Sequence, residues 1–162
     1  MQLLSVITAR SIWLFPVIDL NPQGKAIESD LIEWLKTTYR FQKYPSSPLD
    51  FDAATKTLTF VGGKFKSGYE DNGKERYISV DLSIYTDGLV ANTKSSTRDG
   101  DKFLDEAISS AVNELHLVSP KNIRRKLYYS EMDVRLDRPM SLLNPKLEKL
   151  AATISSLRED TN

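Results

Sequence analysis

Cysteine is absent from all 162 residues. Its absence excludes disulfides, thiolate zinc sites, iron–sulfur clusters and cysteine nucleophiles. Histidine occurs once, at His116, so no site needing two imidazoles forms within one chain, and a serine triad would have to claim that residue. Neither sign of charge dominates, since Lys plus Arg and Asp plus Glu each total 22. Sequence-independent nucleic-acid binders draw affinity from a basic excess that neutralises phosphates, and this chain has none. Zero net charge weakens self-repulsion and suits a chain that works in an assembly. No apolar run reaches the ~18 residues of a membrane span, because Pro16 and Asp19 interrupt the N-terminal one and no basic stretch precedes it. The expectation is a cytoplasmic protein with no membrane contact and no cofactor. Gly62-Gly63-Lys64 and Gly68 have neither Walker nor dinucleotide spacing, and no Gly-x-Ser-x-Gly elbow occurs.

What remains is patterning. The length suits one domain, residues 1–162, which buries roughly 70% of its unfolded surface without staples. Leu3 to Ile18 reads as an extended, central strand with apolar residues on both faces of Ile12-Trp13-Leu14-Phe15, and Pro16 marks an irregularity in it. Asn21-Pro22-Gln23-Gly24 turns the chain into a helix over Ala26–Tyr39, with Ile27, Leu31, Trp34, Leu35 and Tyr39 inward. A second strand opens at Thr57 and closes near Phe65, and Ser67–Lys74 reads as a polar loop. Ile78, Val80, Leu82 and Ile84 then alternate with Tyr77, Ser79, Asp81, Ser83 and Tyr85, so one strand face is buried and one is not. Asp87-Gly88 signals a type I′ hairpin that pairs Leu89–Thr93 back antiparallel.

Thr97, Asp99, Gly100 and Asp101 lead into a second helix whose Phe103, Leu104, Ala107, Ile108, Ala111, Val112 and Leu115 share one stripe. Leu127–Asp137 forms a further strand. Asn144-Pro145 starts a third helix with Leu143, Leu147, Leu150, Ala151, Ile154 and Leu157 on one side, so residues 140–162 read as a terminal amphipathic appendage. The order β-α-β-β-β-α-β-α predicts an α+β fold with a mainly antiparallel sheet of about five strands and helices packed on one face. Removing one hairpin strand and the last helix leaves β-α-β-β-α-β, the ferredoxin-like order, which other α+β arrangements share.

Three surfaces carry the functional expectations. The outer strip Tyr77, Ser79, Asp81 and Tyr85 places tyrosines at both ends of a polar strand face, and tyrosine is enriched at interface cores. Lys121, Arg124, Arg125 and Lys126 form the one basic cluster, followed by Tyr128 and Tyr129. The stripe Leu147, Leu150, Ile154 and Leu157 needs a second apolar face, its own or a neighbour's. Together they favour a non-catalytic subunit that pairs with itself or with larger protein partners. A Mg²⁺-dependent phosphoryl-transfer enzyme or nuclease would instead gather Asp50, Asp52, Asp81, Glu131 or Asp133. A nucleic-acid module would use Arg124, Arg125, Lys126 and Tyr128. His116, between Leu115 and Leu117, suits a helix C-terminus, where the dipole favours positive charge.

Overall fold

The computed structural model describes residues 2–24, 28–47, 57–70, 72–120, 123–137 and 149. Ala26, Ile27, Asp50, Asp52, Lys121 and the whole stripe Leu147, Leu150, Ile154 and Leu157 lie outside the described residues. The chain divides into two units, one spanning Val6–Glu131 and one joining Met1–Ser5 to Met132–Asn162.

Strand β1 runs Gln2–Leu14, helix α1 Glu28–Tyr39, β2 Thr57–Tyr69, β3 Glu75–Tyr85, β4 Gly88–Thr93, helix α2 Thr97–Glu114 and β5 Arg125–Arg135. The sheet order is β2-β3-β4-β1-β5, and the β2–β3, β3–β4 and β4–β1 pairs are all antiparallel. The strand in excess of a β-α-β-β-α-β core is the outermost one, β2, so β3-β4-β1-β5 stay contiguous without it. The alternation anticipated in β3 is what sets the register. Val80, Leu82 and Ile84 stand opposite Thr93, Ala91 and Leu89, and Ser11 and Trp13 of β1 line up with Ala91 and Leu89.

That row of side chains is the floor of the core, and both helices lie on it. Ile32, Leu35 and Tyr39 of α1 and Phe103, Leu104, Ala107 and Ile108 of α2 join Leu82, Leu89 and Ala91, with Phe60 and Phe65 of β2, in one buried cluster. Phe103 and Leu104 are fully buried, and each stabilises the fold by ~1.5–3 kcal/mol relative to exposure. The indole N–H of Trp34 donates to Glu114 at 2.9 Å, joining the two helices at their outer margin.

Four local readings of the sequence need correction. β1 ends at Leu14, and Val17–Leu20 forms a single 3₁₀ turn where extended chain to Ile18 was expected. Pro16 has no N–H, so only its neighbours bond the adjacent hairpin, Phe15 N–H to the Asp87 carbonyl and Val17 N–H to that of Thr86, each at 3.0 Å. The hairpin loop is Thr86-Asp87, because Tyr85 faces Gly88 in register. Neither loop residue has positive φ, so the turn is not type I′. Gly88 is instead a strand residue pressed against the Trp13 carbonyl, where any Cβ would collide. The Ser67–Lys74 loop shrinks because β2 continues to Tyr69 past a bulge at Gly68. Finally, α2 starts at Thr97, with Asp99 and Gly100 buried inside its first turn.

The ends of both helices are legible in local chemistry. The Ser96 hydroxyl caps α2 by accepting from the Asp99 N–H at 3.1 Å. His116 follows the last turn of α2 in the left-handed region, φ 54°, and is exposed. Arg40 occupies the same kind of position after α1, at φ 53°. Glycine is the usual residue there, and a side chain held in that region costs ~1–2 kcal/mol.

Candidate functional site

The anticipated outer strip exists. Tyr77, Ser79, Asp81 and Tyr85 occupy the β3 face turned away from the helices, since the intervening Ile78, Val80, Leu82 and Ile84 face the core. The strip is not uniform. Asp81 is committed to structure, accepting from the Gly62 N–H at 2.8 Å across the bulge between Phe60 and Gly63. Tyr85 is half-buried and Ser79 exposed. Tyr77 donates its hydroxyl to Glu75 at 2.6 Å and carries the Lys64 ammonium over its ring at 4.5 Å. Glu75 also receives Lys66 at 2.6 Å. The Lys66 hydrogen bond, then that of Tyr77, holds the Glu75 carboxyl below its ordinary value. The bond to Glu75 raises the Tyr77 hydroxyl, while the positive charges of Lys66 and Arg40 pull it the other way.

The basic cluster is divided by the strand it enters. Arg124 and Arg125 are exposed, and Arg124 N–H bonds the Leu14 carbonyl at 2.9 Å. Lys126 lies over the Trp13 ring, 3.6 Å from its centroid. Tyr128 donates to Asp101 at 2.8 Å, and the Trp13 indole N–H donates to the other oxygen of the same carboxylate at 2.8 Å. The hydrogen bond to Asp101 raises the Tyr128 hydroxyl above its ordinary value. Two of the four residues offered for nucleic acid are therefore engaged in fastening β5 to β1 and α2. Asp101 is what the sequence reading missed. It stood as a lead-in to the helix, and both its partners belong to other elements.

The carboxylates offered for Mg²⁺ have separate partners where they are described. Asp81 serves Gly62, Glu131 accepts from Tyr129 at 3.3 Å, and Asp133 accepts from Ser5 at 3.0 Å. Among the described residues, no three His, Asp or Glu side chains gather as a metal site. Among them, too, no helix is long and apolar enough to cross a membrane.

The edges of the sheet differ. At the β2 edge, Val61 bridges to Lys43, and register shifts at Phe60/Gly63 and Lys66/Gly68 break the ladder. At the other end stands β5, whose first seven residues, Arg125–Glu131, belong to the Val6–Glu131 unit. Tyr128 and Tyr129 are 55% and 51% exposed there, and the row Arg125, Leu127, Tyr129 and Glu131 faces opposite to Lys126 and Tyr128. In the other unit Leu3, Leu4, Met132 and Val134 are also exposed. An apolar crevice of ≈ 300 Å³ is lined by Val17, Ile18, Leu20, Leu31, Ile84 and Leu117.

These features belong to an α+β chain built on a five-stranded sheet. Comparison with protein-family models, with curated proteins and with solved structures finds no match.

Proposed function

We propose that this chain is a non-catalytic assembly subunit that pairs with a second copy of itself through β5. The observation that carries the reading is the last place of β5 in the sheet order together with its exposed aromatics. A strand edge presents a row of N–H and C=O groups ready to pair with another strand, and natural sheets blunt such edges. The β2 edge is blunted by its bulges and its bridge to Lys43. On β5, Lys126 is drawn over Trp13, while Arg125 and Glu131 leave one charge of each sign at the two ends of the segment.

Charge order along the strand selects the partner. An antiparallel copy centred on Tyr128 sets Arg125 opposite Glu131 at both ends and Leu127 opposite Tyr129 on the same face. Oppositely charged and aromatic–aliphatic cross-strand pairs each contribute roughly 0.2–1 kcal/mol. Two-fold symmetry makes every such pair count twice. Seven paired residues are a small contact, so association belongs in the micromolar range.

Light scattering across micromolar concentrations tests the reading. The wild-type chain should show a concentration-dependent dimer. Arg125→Glu and Glu131→Arg should each weaken it by about 1.4- to 5-fold for each of the two ion pairs lost, and the double exchange should restore it. A wild-type chain that stays monomeric throughout, or a double exchange no better than the single variants, overturns the proposal.

A further inference from the structure

Near the opposite edge of the sheet, four side chains line one cavity of ≈ 230 Å³: Thr38, Arg40, Lys64 and Tyr77. Lys66 pairs with Glu75 and Lys36 with Glu33, but among the described residues neither Arg40 nor Lys64 has a carboxylate partner. The Lys64 ammonium lies over the face of Tyr77. Among the described residues the Thr38 hydroxyl likewise has no hydrogen-bond partner, although Thr37 beside it bonds the Glu33 carbonyl. Two cations and a hydroxyl donor thus line one hollow, and the carboxylate bonded to its Tyr77, that of Glu75, is paired with Lys66.

The position of Arg40 adds to this. It takes the left-handed conformation after α1, where glycine would be the comfortable residue. A guanidinium supplies a planar fork suited to two oxygens of a tetrahedral anion, and an ammonium supplies a compact point charge beside it. The cavity is smaller than the roughly 300–1,000 Å³ that encloses a drug-sized molecule. It has room for an anionic head and leaves the rest of a ligand outside.

We propose that Thr38, Arg40 and Lys64 form a binding site for a phosphate group, with the Tyr77 ring positioning the Lys64 ammonium. The site receives the phosphate head of a soluble ligand or of a lipid, and it is independent of the β5 contact. Arg40 and Lys64 hold the charge, Thr38 donates a hydrogen bond, and no bond is made or broken.

The full chain titrated with inorganic phosphate at constant ionic strength provides the test, followed by calorimetry or amide chemical shifts. Saturable binding is expected, weakened at least tenfold in Lys64→Gln and in Arg40→Gly. The second variant removes the guanidinium while relieving the left-handed backbone, so it stays folded. Lys43→Gln, outside the cavity, should bind like the wild type. Sedimentation with phosphatidylcholine vesicles containing phosphatidate separates the two sources. Co-sedimentation lost in Lys64→Gln identifies a lipid headgroup, and free-phosphate binding without co-sedimentation identifies a soluble ligand. The proposal is overturned if neither probe binds in a Lys64-dependent way, or if both cavity variants bind phosphate as the wild type does.

Discussion

Tyr39 carries the one unpartnered buried side-chain oxygen among the described residues. Its ring is well used, meeting Phe103 edge-on at 5.0 Å, Trp34 at 6.0 Å and Phe41 at 6.2 Å. Burial, then the negative charges of Glu106 and Glu114, push the phenol above its ordinary value. Tyr39→Phe keeps every ring contact and removes an oxygen whose desolvation is uncompensated, so it should stabilise the chain by ~1 kcal/mol. The urea midpoint should rise with an unchanged slope; a midpoint that falls would contradict this account. Asp99 is the opposite case. Burial alone would raise its carboxyl, but hydrogen bonds from Ser95, Arg76 and Ser96 and the Arg76 charge outweigh it and hold the group below its ordinary value. Ionised Asp99 therefore stabilises the fold above the ordinary carboxylate range, and that contribution fades as pH falls through its lower folded value. Asp99→Asn should cost ~1–3 kcal/mol near neutrality. The gap to wild type should close as urea midpoints are taken into acid, and a gap constant with pH would contradict the assignment. Arg76, 40% exposed as a side chain, is screened and should matter less than its partner.

Between elements, the contact of α2 with β1 depends on what is missing from Gly100. A Cβ there would stand 2.8 Å from Ser11 Oγ and 3.2 Å from Ser11 Cβ. Ser11 is fully buried and donates its hydroxyl to the Thr97 carbonyl at 2.6 Å, so it cannot easily give way. Alanine is favoured over glycine inside a helix by ~1 kcal/mol, yet Gly100→Ala should destabilise by ~1–3 kcal/mol because the helix must lift off the sheet. In a Ser11→Ala background the same change should cost at least ~1 kcal/mol less, a coupling that a double-mutant cycle reads directly. This contact also marks the limit of sequence reading. The alternation of β3 and the stripe of α2 are local periodicities, and both set the fold as anticipated. The same alternation put Tyr77, Ser79, Asp81 and Tyr85 on one face. Locally Gly88 reads as a turn residue and Gly100 as a helix lead-in, since the Trp13 carbonyl and Ser11 that demand them lie on a distant strand. Asp99 and Asp101 were misread for the same reason: one answers to Arg76, the other to Trp13 and Tyr128. Lys64 enters the sequence only in Gly62-Gly63-Lys64, which has no phosphate-loop spacing; the β2–β3 register brings it to Tyr77 and the end of α1 brings Arg40.

For the whole molecule, pairing through β5 couples folding to concentration. A contact made only by folded chains stabilises them by mass action, so each tenfold rise in concentration above the dissociation constant adds ~1.4 kcal/mol per dimer. Shared between two chains of this length, that is a rise of roughly 1–3 °C in thermal midpoint per tenfold step. Arg125→Glu should flatten the dependence, because Glu opposite Glu131 opposes the register centred on Tyr128. Scanning calorimetry over a hundredfold concentration range distinguishes the cases. A midpoint independent of concentration in the wild type removes β5 as a self-pairing edge. A slope that survives Arg125→Glu unchanged places the contact on another surface. A slope lost in Arg125→Glu and recovered with Glu131→Arg ties the stability of the fold to the charge order along one strand.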